Sequence, residues 1–340
     1  MKDSNNIHIN TNEVLKNIIN KDIQYTIPIF IPHLGCKNGC VFCNQRKISG
    51  ASSDVKIEDI KEEIDQRLSE FKQKRKIQIA FFGGSFTGLN IEDQIKFLSL
   101  ANEYVKAGKV ESIRISTRPD YIDVNILKIL KKYSVKTIEL GVQSMDEEVL
   151  KASKRGHTSL DVIKAARLIN LFGFELGFQI MVGLPKSNLD KEIISIKKLL
   201  KFNPKQLRIY PVYVLKESKL YEMYKENKYK PVEFSDAVDR VSKIIEECKN
   251  SDVKIIRIGL QSTKDITENA EDIVGPISDN FGEYALSKLV LNEIEKSIDS
   301  TVNNNIYIDK KYISLAVGPK KVNRKYLEEK YNKKINIIGE

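Results

Sequence analysis

Short apolar runs alternate along most of the chain with longer stretches in which apolar residues recur every three or four positions. Apolar runs of about four to eight residues are typical of buried strands, and longer periodic stretches are typical of amphipathic helices. Successive strand–helix units indicate an α/β protein with a parallel sheet, which right-handed crossovers curl into a partial (β/α)6 TIM-like barrel. The predicted strands are residues 27–31, 77–82, 112–116, 137–141, 176–182 and 206–210, and the helices between them are 57–71, 91–107, 125–132, 160–172 and 190–202.

The pattern changes after residue 211. A tyrosine- and lysine-rich segment at 213–230 comes first, followed by a predicted helix at 235–250 and a predicted strand at 254–258. We then predict a second helix from 281 onward, two short strands at 305–308 and 312–317, a basic helix at 320–333 and a last strand at 335–338. These elements suggest a small C-terminal α+β extension. We therefore expect an N-terminal lead-in at 1–26, the partial barrel at 27–260 and the extension at 261–340.

Three of the four cysteines lie within eight residues, just after the first predicted strand. Cys36, Cys40 and Cys43 have the spacing C-x3-C-x2-C, and three thiolates can hold three irons of a [4Fe–4S] cluster while the fourth iron stays open. A structural zinc site is the alternative, but it needs a fourth ligand, and the nearest histidine is His33. Cys248 lies within a predicted helix and is interpreted as a structural thiol.

The amino-acid composition bears on the kind of binding partner and on the cellular compartment. The chain has 56 Lys and Arg residues and 46 Asp and Glu residues, which give a net charge of +10. This positive charge suggests an anionic partner such as RNA. A background compositional bias is the alternative, because Lys is abundant all along the chain. No apolar run reaches the ~18 residues of a membrane span, and the N-terminus has no hydrophobic signal region. We expect a cytoplasmic protein, where free thiols and a labile cluster persist.

Unusual motifs follow the predicted strands, where the catalytic residues of barrel folds lie. In chain order these are the cysteine loop, Gly83-Gly84-Ser85-Phe86-Thr87, Thr117-Arg118-Pro119-Asp120, Gly141-Val142-Gln143-Ser144 and Met181-Val182-Gly183-Leu184-Pro185. We therefore expect all of them at one mouth of the barrel.

With these motifs in place, residues 27–259 resemble the radical S-adenosylmethionine superfamily, and look most like the radical domain of the elongator catalytic subunit family. The resemblance rests on the cysteine spacing with Phe42 before Cys43, on the strand-end motifs above, and on Glu139-Leu140 and Arg155-Gly156-His157-Thr158. It implies a radical enzyme with two cofactors, a [4Fe–4S] cluster and S-adenosylmethionine, which the reduced cluster cleaves to a 5′-deoxyadenosyl radical. A reductant such as ferredoxin or flavodoxin is implied as a partner.

The resemblance also implies roles for single residues. Gly83 and Gly84 would let a backbone carbonyl approach the methionine amino group, because no Cβ intervenes. Many superfamily members have Glu where this chain has Ser85, a change that is tolerable if the contact there is through the main chain. The remaining implied contacts are Ser116 and Gln143 to the ribose, Arg155 to the carboxylate and Gly183 to the adenine, with a plain strand-to-helix turn as the alternative for the glycines.

The substrate stays open at this stage. In the elongator family the radical domain works with an acetyltransferase domain on the wobble uridine of tRNA, and this chain stops where that domain would begin. One hypothesis is RNA modification, with the basic helix 320–334 and residues 72–76 contacting phosphates. The others are a small-molecule radical enzyme resembling coproporphyrinogen dehydrogenase, and a non-catalytic Fe–S or RNA-binding module.

Overall fold

A computed structural model describes residues 7–18, 24–31, 36, 39–44, 56–71, 76–260, 272–298 and 304–340. Its strands are β1 (Ile7–Ile9), β2 (Gln24–Ile31), β3 (Lys76–Gly83), β4 (Ser112–Thr117), β5 (Val135–Gln143), β6 (Glu175–Val182), β7 (Gln206–Pro211), β8 (Val214–Leu215), β9 (Lys254–Ile258), β10 (Ile273–Val274), β11 (Asn305–Ile308) and β12 (Asn336–Gly339). Its α-helices are Thr11–Val14, Ile57–Ser69, Ile91–Lys106, Val124–Lys132, Glu147–Ala152, Ser159–Leu171, Leu189–Leu200, Lys219–Lys225, Phe234–Glu247, Phe281–Ser297, Ile313–Val317 and Val322–Tyr331.

The main sheet is parallel, and within the described residues it has seven strands in the order β2-β3-β4-β5-β6-β7-β9. The guanidinium of Arg208 in β7 lies 5.2 Å from the centre of the Phe82 ring in β3, although three strands separate β3 from β7 in the sheet. That contact requires a curled sheet. The predicted α/β fold with a partial barrel is therefore confirmed, and β9 adds a seventh strand to the predicted six.

Alternate residues of each strand point outward to the helices and form the core. These side chains are apolar and almost fully buried, for example Ile79, Ile115, Leu140 and Phe178. The helices that cover them begin at side chains that accept a hydrogen bond from a backbone N–H of the first turn, which satisfies a group that the helix leaves unpaired. These residues are Asn90, Asp123, Asn188 and Thr158, which forms a capping box with Asp161.

The extension combines helices with a second sheet. The helix Phe281–Ser297 packs on Phe234–Glu247, and Phe234 meets Phe281 edge to face at 5.8 Å. The three-stranded parallel sheet has the order β1-β11-β12, so the N-terminal strand pairs with the C-terminal extension. The sequence pattern did not predict that pairing, because β1 has only three residues.

One predicted strand in the extension is wrong. Residues 312–317 were expected to be extended, but Ile313–Val317 is helical. Asp309 accepts a hydrogen bond from the Lys311 N–H at 3.1 Å, which starts a helical turn, and Gly318 ends the helix with φ of +81°. The helix buries Ala316 completely, so tertiary packing decides a segment whose short apolar pattern fits either structure.

Candidate functional site

The cysteine loop is anchored to two helices that the sequence pattern did not predict, Glu147–Ala152 and Lys219–Lys225. The Val41 N–H donates to the carbonyl of Ser153 at 3.1 Å, and the Val41 carbonyl accepts from the Leu220 N–H at 2.8 Å. Val41 itself is buried in an apolar cluster with Leu184 and Leu220. The loop is therefore held on both sides in the part that carries Cys40.

The three thiols form no disulfide with one another, and they differ in exposure: Cys40 is buried, while Cys36 and Cys43 are half-buried. Burial raises the pKa of Cys36, and the guanidinium of Arg155 opposes that rise. Among the described residues, no three histidine, cysteine or carboxylate side chains are arranged to hold a metal ion by themselves.

Arg155 joins the cysteine loop to the end of β5. Its Nη1 donates to the Cys40 Sγ at 3.2 Å, and its Nη2 donates to the Gly141 carbonyl at 2.5 Å. The side chain is only 8% exposed, and its Nε is buried with no hydrogen-bond partner among the described residues. A buried cation with a spare donor suits an anionic ligand, because an unpaired buried donor is costly.

Gln143 has an unusual backbone at the end of β5. Its φ is +68°, and the register with β6 shifts between Gly141 and Gln143. A positive φ is strained in a residue other than glycine, and such strain is common at functional sites. The bulge turns the amide side chain toward Gln179, whose Nε2 donates to the Gln143 Oε1 at 3.3 Å.

Gly83 is required by close backbone packing. Its φ is +105°, and a Cβ there would lie 3.0 Å from the carbonyl oxygen of Ile31. Gly84, Ser85 and Ser116 line one small pocket, so these predicted contacts come together.

The hydroxyl of Ser85 is already engaged by the protein. It lies 2.9 Å from the Thr117 hydroxyl and accepts from the Arg118 N–H at 3.1 Å. The side chain is 1% exposed. Any cofactor contact at Ser85 is therefore left to its main chain, as expected where Glu is replaced.

Gly183 is likewise fixed by its neighbours. Its N–H donates to the Glu192 carboxylate at 2.9 Å, and its carbonyl accepts from the Tyr229 hydroxyl at 2.7 Å. Its φ is +88°, and a Cβ would lie 2.6 Å from Val232. Both polar backbone groups of Gly183 therefore already have a partner within the protein.

Arg118 and His157 lie near the thiols, and the sequence indicated no role for either of them beyond its place in a motif. Arg118, 2% exposed, holds Asp120 through two hydrogen bonds of 2.9 Å. His157 is also buried, and burial lowers its pKa to about 3, with the charges of Arg155 and Arg118 adding to the effect. Its imidazole is therefore neutral at physiological pH. His33 lies outside the described residues.

The concave face of the sheet carries a buried ion network that nothing in the sequence predicted. Glu139 lies between two guanidinium groups, 3.4 Å from Arg114 Nη1 and 2.8 Å from Arg208 Nε. Burial lowers the pKa of Arg114 to about 10, so this residue is still charged. Burial acts in the same direction on Arg208, but the charge of Glu139 and the Tyr210 hydroxyl reverse it, so the pKa of Arg208 is raised.

The basic helix of the extension, Val322–Tyr331, is partly neutralised within the protein. Arg324 lies 3.3 Å from Glu328, and Lys330 contacts Glu295. Because these two cations already have carboxylate partners, the pairing weakens their assignment as phosphate contacts. The other proposed phosphate contacts are residues 72–76. Of these, only Lys76 lies in the described part of the chain.

Comparisons with known proteins bear on both halves of the chain. Residues 30–200 match the family model described as Radical SAM superfamily, and residues 204–296 match the Radical_SAM C-terminal domain.

No helix in the described ranges combines the length and apolar character that crossing a membrane requires.

Similar curated proteins include the tRNA uridine(34) acetyltransferase of Methanocaldococcus jannaschii, 31% identical over 187 residues, which are 49% of this chain and 35% of that protein. Elongator complex protein 3 of Homo sapiens is 30% identical over 203 residues, 53% of this chain and 37% of that protein. The chain thus spans little more than a third of these relatives. The uncharacterized protein MJ0486 of M. jannaschii is 31% identical over 234 residues, 65% of this chain and 71% of that protein.

Among solved structures, the archaeal Methanocaldococcus infernus Elp3 with an N-terminal deletion superimposes with a TM-score of 0.63 at 23% identity. The match covers 88% of this chain and 69% of that one. At that identity the likeness supports the fold, which includes the curled parallel sheet.

Proposed function

Because the chain belongs to the radical S-adenosylmethionine superfamily, we propose that it modifies an RNA through radical chemistry started at its cysteine loop. Its membership confirms the resemblance drawn from the motifs. The superfamily consists of enzymes, so the chain is an enzyme, and the hypothesis of a non-catalytic module is wrong. The cofactors are a [4Fe–4S] cluster and S-adenosylmethionine. When bound, they would supply the reductive cleavage of S-adenosylmethionine to methionine and a 5′-deoxyadenosyl radical.

Cys36, Cys40 and Cys43 would hold the cluster, and three thiolates for four irons would leave a position for S-adenosylmethionine. The donor set supports this role, because the three cysteines form no disulfide with one another and the Arg155 guanidinium donates to the Cys40 sulfur. The guanidinium of Arg155 stabilises negative charge on the Cys40 sulfur. The anchored loop keeps that sulfur at the barrel mouth.

Arg155 also holds the carboxylate of S-adenosylmethionine, using the Nε donor that has no partner in the described part of the chain. Gln143, aimed by its strained backbone, donates to the ribose hydroxyls together with Ser116. Gly83 and Gly84 present main-chain carbonyls to the amino group, and Gly183 contacts the adenine by packing alone. Together these residues orient the cofactor and exclude water from it.

A uridine of tRNA is the proposed substrate. Two observations support it: the identity to proteins named for tRNA uridine(34) acetylation and for Elongator, and the net charge of +10. A one-electron donor such as ferredoxin or flavodoxin supplies the reducing equivalent. A reducing compartment such as the cytoplasm suits the free thiols.

The observation that carries this proposal is the contact of Arg155 with both Cys40 and Gly141, because it joins the cysteine loop to the strand end that bears Gln143. The test is anaerobic reconstitution with iron and sulfide, followed by incubation with reductant, S-adenosylmethionine and bulk tRNA. We expect 5′-deoxyadenosine from the wild-type protein and from Cys248→Ala, and none from Cys40→Ala.

Deuterium transfer between labelled tRNA and 5′-deoxyadenosine would support RNA as the substrate. Cleavage of S-adenosylmethionine with no transfer from any tRNA would contradict the substrate while leaving the radical chemistry intact. Absence of cleavage in a protein that carries its cluster would contradict the whole proposal.

A further inference from the structure

Two aromatic rings lie side by side on the concave face of the barrel, away from the core. Phe30 of β2 and Phe82 of β3 are partners in the sheet register, with ring centres 6.2 Å apart. Phe30 is 38% exposed, whereas its neighbours Ile29 and Ile31 face the helices and are buried. The strands that carry the pair lead into the cysteine loop and into Gly83, so the rings line the approach to the proposed cofactor site.

A guanidinium completes this surface. Arg208 reaches across the barrel from β7, and its guanidinium lies 5.2 Å from the centre of the Phe82 ring. It is held there by Glu139 at 2.8 Å and by the Tyr210 hydroxyl at 3.3 Å. Flat aromatic and guanidinium surfaces that are fixed in place are the groups on which proteins stack unpaired bases.

The same surface has more positive than negative charge. Arg208 and Arg257 are direct partners in β7 and β9, an arrangement of like charges that is destabilising without a counterion. In the described part of the chain, Arg257 has no carboxylate partner, and its Nε donates only to the carbonyl of Gly259 at 3.3 Å. Glu139 is the one carboxylate that neutralises both Arg114 and Arg208. Arg257 is thus a guanidinium without a carboxylate partner in the described part of the chain, and it lies beside a second guanidinium, which favours an anionic occupant.

We propose that this concave surface, made of Phe30, Phe82, Arg208 and Arg257, binds a single nucleotide flipped out of an RNA strand. The base stacks on the aromatic pair and its phosphate pairs with Arg257. A nucleotide fits both halves of the surface, because it joins a flat ring to a negative charge. The inference rests on the proposed function and deepens it, since it assigns the residues that hold the substrate base beneath the barrel mouth.

The test uses the anaerobically reconstituted protein and two RNA hairpins that are identical except for one loop position, which carries uridine in one and an abasic site in the other. Wild-type protein should bind the uridine hairpin about 5- to 150-fold more tightly, the range expected for stacking of one base. Phe30→Leu should lose most of this discrimination, whereas Phe30→Tyr, which keeps the ring, should retain it. Leu160→Ala, on the outer helix Ser159–Leu171 and 54% exposed in the wild type, is the matched control and should behave as wild type.

Arg257→Gln provides an independent readout. It should weaken binding of both hairpins and reduce the slope of affinity against salt by about 1, as expected for the loss of one phosphate contact. Full discrimination in Phe30→Leu, or an unchanged salt slope in Arg257→Gln, would overturn the proposal.

Reductive cleavage of S-adenosylmethionine without RNA is measured on the same preparations. Wild-type protein that cleaves the cofactor but binds both hairpins equally would contradict this inference alone. Wild-type protein that carries the cluster but does not cleave the cofactor would contradict the proposed function instead.

Discussion

Gly141→Ala is the change that tests most sharply how the site is organised around the end of β5. A Cβ at this position would lie 2.9 Å from the Arg155 Nη2 and 3.0 Å from the Gln143 Nε2. Both atoms are at the far ends of flexible side chains, and Gly141 has no positive φ, so the fold accommodates alanine while the two side chains move. These are the groups proposed to hold the carboxylate and the ribose of S-adenosylmethionine.

The expected loss follows from those contacts. A hydrogen bond to a charged group contributes about 1.5–3 kcal/mol, and about 1.4 kcal/mol corresponds to a tenfold change in affinity. Displacing Arg155 should therefore weaken S-adenosylmethionine binding by about 10- to 100-fold. The assay is calorimetric titration of the anaerobically reconstituted variant, with iron and sulfide analysis to verify the cluster content.

Gly177→Ala is the matched control. This residue lies on the neighbouring strand β6, and its Cβ would lie 3.5 Å from the Glu139 side chain, which is ordinary contact. Both variants share the stabilisation of about 0.4–1 kcal/mol that replacing a glycine gives through the unfolded state. Gly177→Ala should bind S-adenosylmethionine as wild type does. Equal affinities in all three proteins would refute the assignment of Arg155 and Gln143.

Other expected outcomes concern the thiols, the buried ion network and the buried histidine. Cys40→Ala should lose the iron–sulfur absorbance, and Cys248→Ala should keep it; loss in the second variant would contradict the ligand assignment. Glu139→Gln should lower the free energy of unfolding in denaturant by about 3–5 kcal/mol, because it leaves two buried guanidinium groups without their carboxylate. The surface change Glu111→Gln should lower it by less than about 1 kcal/mol. Equal losses in the two variants would show that the buried network contributes little to stability. The native pKa of His157, about 3, lies below its unfolded value of about 6.5, so the unfolded state takes up the proton first and stability is lost as the pH falls between these values. From pH 7 to 5 wild type should lose about 2 kcal/mol more than His157→Gln, and parallel pH profiles would contradict the buried neutral imidazole.

Much of the fold could be predicted because apolar patterns report burial directly. A strand such as β3 is apolar on both faces or nearly so, and a turn motif marks where it ends. The strand-end motifs came together for the same reason, since the carboxyl ends of parallel strands share one edge of the sheet. The helix Ile313–Val317 escaped prediction because five residues carry too little periodic signal to outweigh tertiary packing.

The polar interior and the contact geometry could not be predicted. Arg114 and Glu139 are single charged residues within apolar strands, and only the curl of the sheet reveals that Arg208 joins them from across the barrel. The bulge at Gln143 is equally invisible in the sequence, because glutamine is not a residue that marks a positive φ. A signal for Arg155 existed in its motif, but its contact with Cys40 depends on how the loop is anchored.

The most direct test of the central claim is metal and sulfide analysis of protein purified and reconstituted without oxygen, combined with EPR of the reduced sample. If Cys36, Cys40 and Cys43 hold a [4Fe–4S] cluster with one open iron, each chain should contain about four irons and four sulfides, and adding S-adenosylmethionine should change the EPR signal. Zinc bound to those thiols with no iron or sulfide, or a cluster signal that S-adenosylmethionine leaves unchanged, would contradict it.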